Sequence, residues 1–273
     1  MSKDLLDRDG VRRIGVVPDM HVPLHDPHAV GAALNYMKDQ HFDEVIQLGD
    51  FLDVNSISAH NKGKPKLVEG ERLAGEFRAG RKVLDELLQA TRTVNFSSKF
   101  TMLVGNHEYR IERFVEEHPA LDGMLDVSAG LGLKKRNVNL VASYPKGEVY
   151  RLGHAYFTHG LYTGTHSAKT HVDRFGVNIF HGHVHSLQAF SRVTWAKGKA
   201  HIGVSCGCLC LPDLPYLMGA PTAWSHAIVE ILMLPNGMFN WMPISIFDGQ
   251  LISPGGKRYS YRDGVKASRP RRS

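Results

Sequence analysis

Five short clusters constrain this chain more than any other feature: Asp19-Met20-His21, Gly49-Asp50-Phe51-Leu52-Asp53, Gly105-Asn106-His107-Glu108, His159-Gly160 and Gly182-His183-Val184-His185. Each follows directly on an apolar, strand-like run and supplies oxygen or imidazole donors of the kind that hold a divalent metal. In an open α/β sheet, donors at the carboxyl ends of strands sit where ligands bind. Any one cluster is weak alone, since an isolated Asp-x-His is most often an exposed turn. In this order, with these strand contexts, the five describe a two-metal hydrolytic site at the ends of sheet strands.

The strand-like runs are 14–17, 44–48, 100–104, 155–158 and 177–180, each stopped by Gly, Pro or a polar donor. Helical spacing of apolar residues predicts helices over 28–38, 68–91, 108–117 and 167–175. This alternation argues for an α/β core. After His185 the runs 190–195, 200–210, 227–234 and 238–247 read as consecutive strands forming a second sheet. Residues 1–256 read as one domain.

A metal that activates water needs anionic oxygens, neutral imidazoles and an open position. Asp19 and His21 lie two apart, so on an extended strand end they point the same way and can grip one ion together. Of the 16 histidines, only His21, His107, His159, His183 and His185 fall in the clusters. His25 and His166 lie on presumed site loops and are candidate substrate contacts. Arg110 and Arg113 open a helix-like segment after the third cluster. Arg110 is the candidate phosphate clamp; pairing with Glu112 or Glu117 is the alternative for this pair of arginines.

The cluster series resembles the motifs D-x-H, G-D-x-x-D, G-N-H-D/E, H and G-H-x-H of the calcineurin-like metallophosphoesterases, with no motif residue missing between Asp19 and His185. The resemblance implies a four-layer α-β-β-α sandwich, two mixed β-sheets flanked by helices with the metals at one edge. It implies one metal site of Asp19, His21, Asp50 and His185, and a second of Asp50, Asn106, His159 and His183. A hydroxide between two ions roughly 3.5–4 Å apart would attack phosphorus. His107 would protonate the leaving group, oriented by Asp53, and Glu108 would orient its neighbours. Mixed oxygen and nitrogen ligands suit manganese first, with iron, zinc or nickel as alternatives, over calcium or magnesium.

The substrate is less legible. Eukaryotic-type Ser/Thr phosphatases continue the second motif with Arg-Gly, where this chain has Val54-Asn55. Residues 12–212 resemble phage and bacterial phosphoesterases grouped with DNA-repair exonucleases. A phosphodiesterase acting on DNA ends, oligonucleotides or nucleotides is the first expectation, and a phosphomonoesterase the second. A catalytically silent scaffold would have lost ligands or His107, and neither is lost.

The net charge of +6 comes from the C-terminus. Residues 257–273 hold Lys257, Arg258, Arg262, Lys266, Arg269, Arg271 and Arg272 against Asp263, which leaves residues 1–256 neutral. This stretch reads as a disordered basic tail, either a salt-sensitive contact to DNA or a solvated terminus. Cys206, Cys208 and Cys210 would line one face of a strand, buried and apolar, with a third metal or redox role as the alternative. Trp195, Trp224, Trp241 and residues 212–221 could form a lip over the site or a subunit contact. No apolar run approaches the roughly 20 residues of a membrane span. The N-terminus lacks a secretory apolar core, so the expected compartment is cytoplasmic.

Overall fold

Short apolar runs alternating with amphipathic segments build two sheets. The computed structural model describes residues 10–193, 198, 200–214, 217 and 222–262. The first half of the chain lays down β1 (Arg12–Val17), β2 (Glu44–Gln47), β3 (Lys99–Leu103) and β4 (Val138–Val141), parallel neighbours in that order. Parallel neighbours need crossovers. These run through α1 (Pro27–Met37), α2 (Leu73–Arg92), α3 (Tyr109–Glu117) and α4 (Val127–Leu131). α1 starts where it does because the Asp26 carboxylate accepts from the N–H groups of His28 and Ala29, with Pro27 pre-set for the first turn. α2 starts later than its apolar spacing suggests. Residues 65–68 form a separate 3₁₀ turn, and Gly70 at φ +80° interrupts the helical path.

The chain then builds a five-stranded sheet from β5 (Tyr150–Leu152), β6 (Ala155–Thr158), β7 (Asn178–His181), β8 (Leu187–Val193) and β9 (Ala200–Cys206), in the order β5-β6-β7-β9-β8. α5 (Ser167–Phe175) packs on its outer face. β10 (Ala227–Met233) returns to the first sheet antiparallel to β1, followed by β11 (Phe239–Phe247), β12 (Gln250–Ile252) and β13 (Arg258–Ser260). The expected grouping is corrected here: of the four runs after His185, only β8 and β9 join the second sheet. β10 is buried along nearly its whole length, as a strand covered on both faces must be, and it completes the eight-stranded sheet beside β1.

The result is the four-layer sandwich. Ile14 and Val16 of β1 point into the inter-sheet core with Ile46, Phe157, Phe180 and Val204, while Val17 faces the helices with Met37 and Leu84. Trp241 is half-buried against the inter-sheet core, 6.3 Å from the Phe180 ring, and is no lip residue. Trp195 lies outside the described residues. β9 ends at Cys206, and Gly207 at φ +80° turns the chain. Cys206 therefore packs between the sheets while Cys208 and Cys210 enter a separate small cluster, so the three buried thiols do not share one strand face.

The expected tail boundary also moves. Arg258–Ser260 is a paired strand, Tyr259 is 5% exposed with its ring 5.3 Å from Tyr36, and Lys257 pairs with Asp39. An apolar ring inside a basic run is what carries these residues into the sheet. Residues 263–273, with Lys266, Arg269, Arg271 and Arg272, lie outside the described residues. No helix among the described residues is long and apolar enough to cross a membrane. Tyr259→Ala should cost about 3 kcal/mol in urea unfolding, the price of deleting a buried aromatic ring. A change below about 0.5 kcal/mol would mean that this segment is dispensable to the fold.

Candidate metal centre and its clefts

The loops after β1, β2, β3, β6 and β7 meet at one edge of the sandwich, and buried carboxylates bolt them together. The N–H groups of Met20 and His21 both donate to the Asp50 carbonyl at 2.9 Å, joining the first two loops. Glu108 joins the second to the third: it accepts from the N–H of Asp50 (2.9 Å), Gly105 (2.9 Å) and Leu52 (2.7 Å). Burial, with the Asp50 charge, pushes Glu108 up to about 7 against the Leu52 and Gly105 donors. Asp19 accepts from the His183 N–H at 2.9 Å, tying the loop after β1 to the loop after β7.

These loops are tight. His21, Asp50, His183 and His185 all have positive φ, between +47° and +72°, each a cost on the order of 1 kcal/mol for a non-glycine residue. Asp and His tolerate this region better than most residues. Two glycines are required by close approach: a Cβ on Gly105 would sit 2.2 Å from the Asp50 carboxylate, and one on Gly182 would sit 2.0 Å from that of Asp19.

The structure brings Asp19, His21, Asp50 and His185 together, with one donor atom from each within 4.8 Å of the others. Asp50, His159 and His183 form an adjoining group under the same limit, and Asn106 Oδ1 lies 2.8 Å from His159 Nε2. The donor set fits metal. His21 donates through Nδ1 to Asp53 (2.9 Å) and His159 through Nδ1 to the Leu48 carbonyl (3.0 Å), so each keeps a lone pair on Nε2. Those atoms meet other polar atoms: His21 Nε2 lies 3.1 Å from His185 Nε2, and His159 Nε2 lies 3.4 Å from Asp50 Oδ2. So many buried polar atoms at close quarters must share protons or a cation. The ionisation reflects that crowding. Burial opposes a charge on His159, yet Asp50 raises it to about 9. Burial likewise opposes the charge on Asp50, yet His159 and His107 hold its carboxyl well below the usual range.

His107 sits beside this centre without joining either group. Its N–H donates to Asp50 Oδ1 at 2.8 Å, leaving Oδ2 turned toward the histidines. Its Nδ1 donates to the Asp53 carbonyl (2.7 Å), with the Asp53 carboxylate at 3.2 Å. Asp53 therefore braces both His107 and His21. Arg110 donates to the same Asp53 carbonyl (2.9 Å) and reaches His107 Nε2 at 3.0 Å. Burial and Arg110 disfavour a charged His107; Asp50 and Asp53 outweigh them and raise its pKa.

A cavity of ≈ 330 Å³ opens over the centre, walled by His21, His107, His183, His185, Thr163 and Trp224. On the Asn106 side lies a cleft of ≈ 270 Å³ lined by Arg110, Arg113, Tyr109 and Tyr144; on the Thr163 side a groove of ≈ 730 Å³ takes in His166 and Lys169. Trp224 belongs to the site, its ring 4.2 Å from that of His185. His25 lines none of these three spaces; its backbone bridges to Cys210, in the fields of Lys82 and Glu86 of α2. Tyr144, 6.4 Å from the His183 ring, escaped the sequence reading because β4 before it is too short to stand out. The only sequence signal was its place after an apolar run.

Fold and motif placement together resemble those of the calcineurin-like metallophosphoesterases. No family model matches the chain. It is 26% identical over 253 residues to the Gene 54 protein of Mycobacterium phage D29, covering 84% of this chain and 96% of that protein. The Gene 54 protein of Mycobacterium phage L5 is 25% identical over the same length and coverage. Among solved structures, a single mutant of Vps29 from Entamoeba histolytica overlaps 91% of this chain and 98% of its own at 14% identity and a TM-score of 0.43. The purple acid phosphatase PPD1 of yellow lupin, Lupinus luteus, overlaps 92% of this chain and 53% of its own at 13% identity and a TM-score of 0.41.

Gly182→Ala should abolish divalent-cation binding, read by calorimetry with manganese as the probe, while far-ultraviolet circular dichroism stays native, because the added methyl meets Asp19. Retained affinity would show that the two loops can part without cost. Glu108→Ala leaves three buried N–H groups unpaired and should lower unfolding stability by about 3 kcal/mol or more.

Proposed function

We propose that this chain is a two-metal phosphodiesterase acting on DNA ends, oligonucleotides or nucleotides. The observation that carries the reading is the pair of clefts flanking the centre. A phosphodiester has two substituents to house, a monoester only one, and spaces open on both the Asn106 and Thr163 sides. Asp19, His21, Asp50 and His185 would hold one ion; Asp50, Asn106, His159 and His183 would hold the other. Two such ions, manganese first, supply Lewis acidity toward phosphoryl oxygens and acidify water.

The chain's own groups do the rest. His107 keeps one proton on Nδ1, held by Asp53, and presents Nε2 as the atom that gives a proton to the leaving oxygen. Arg110, which now contacts Nε2, has the fork geometry to take a phosphoryl oxygen instead, and its departure frees Nε2 for a proton. His166 lies in the larger groove, within reach of the substituent that stays on phosphorus. Contact with DNA through Lys266, Arg269, Arg271 and Arg272 belongs to the same reading.

The test is a manganese-supplemented panel of bis-p-nitrophenyl phosphate, p-nitrophenyl phosphate and end-labelled DNA, with Asp50→Asn as control. Diester or DNA cleavage that disappears in Asp50→Asn is the expected result; cleavage of the monoester alone would make the protein a phosphomonoesterase. His107→Ala should lower turnover of DNA about 10²–10⁴-fold with manganese still bound. It should matter less for p-nitrophenyl esters, whose leaving group departs without a proton.

A further inference from the structure

The geometry points to the cleft on the Asn106 side as the leaving-group subsite, shaped for the nucleoside and following phosphate of a nucleic-acid strand. This assignment rests on the phosphodiesterase reading and adds a direction to it. The direction comes from His107. Its Nε2 is in contact with Arg110, and Arg110 lines this cleft and not the Thr163-side groove. A group protonated by Nε2 as it departs must leave on that side. The larger groove begins at Thr163, Val184 and Trp224, beside His183 and His185, and so receives the part of the substrate that keeps the phosphate.

The cleft's chemistry names the occupant. Tyr144 stands between the metal-side ring of His183, at 6.4 Å, and the ring of Tyr109, at 5.8 Å, so an aromatic wall runs outward from the centre. At ≈ 270 Å³ the space is small for a ligand pocket, of a size for one planar ring system and its sugar. His60 and Lys62 on one lip face Arg113 on the other, with Glu117 as the carboxylate among the lining residues. No carboxylate lies within salt-bridge distance of Arg113 or Lys62 among the described residues. Unpaired cations beyond an aromatic wall repeat the order base, then phosphate, along a nucleic-acid strand.

In the reaction the water oxygen forms the new bond to phosphorus, and the bond to the leaving nucleoside oxygen breaks with its electron pair. That oxygen takes the proton from His107 Nε2. The attacking water gives up a proton to solvent, from which His107 is recharged.

The experiment compares two diesters that share a thymidine on the retained side, using the full chain with manganese. One, a thymidine dinucleotide carrying a terminal phosphate on its leaving residue, releases a nucleotide; the other releases p-nitrophenol. The variants are Tyr109→Leu and Arg113→Ala, the latter an exposed helix position that does not threaten folding. The ratio of kcat/KM for the dinucleotide to that for the nitrophenyl ester should fall about tenfold in each, with KM carrying the change. If both diesters are cleaved and the ratio stays within about twofold of the parent in either variant, the subsite assignment is overturned and the phosphodiesterase reading stands. If neither diester is cleaved while p-nitrophenyl phosphate or a phosphopeptide is, the phosphodiesterase reading fails and the subsite with it.

Discussion

The Asp50 carboxylate is anchored on one oxygen and left open on the other, and the site is arranged around that division. Oδ1 accepts the His107 N–H at 2.8 Å, which fixes the rotamer. Oδ2 then lies 3.4 Å from His159 Nε2 and 3.7 Å from His21 Nε2, between the two donor groups. A buried carboxylate is costly unless it is paired. Here the pairing is with imidazoles whose other nitrogens are already committed to Asp53 and the Leu48 carbonyl. The geometry leaves the centre rich in lone pairs and ready for cations.

Holding it requires strain, and the strain is spread over the two sheets. Four donors at positive φ and two glycines at close approach sit on loops that would open if nothing tied them. Glu108 and Asp19 supply the ties by accepting backbone N–H groups across loops that are far apart in sequence. The inter-sheet core of Ile14, Val16, Ile46, Phe157 and Phe180 supplies the rigid platform. Local distortion at the strand ends is therefore offset by burial one or two residues further back along the same strands.

Charge follows the same logic of placement. Residues 1–256 carry no net charge, which by composition argues against a body that tracks a polyanion. The structure concentrates Lys62, Arg110 and Arg113 around one small cleft beside the centre. A local cationic field at a cleft serves one or two phosphates, whereas a global excess serves a long duplex. The functional reading follows the local field.

The sequence by itself determined the donors, their strand-end setting and the alternation of strands and helices, because these are local: a stop in an apolar run and a spacing of two residues suffice to read them. It also pointed to His107, Asp53 and Glu108 through their places in the motifs. Tertiary structure decided the rest. It assigned β10 and β11 to the first sheet, drew Tyr259 into a strand within a basic run, sent His25 toward α2 and brought Tyr144 and Trp224 beside the metal-side histidines. Strand partners are chosen by backbone hydrogen bonds, which are alike for every residue, and by burial on faces that exist only once the layers have packed. The flanking clefts are made from segments as distant as residues 57–62 and Tyr144, or Thr163 and Trp224, and no spacing along the chain records that they meet.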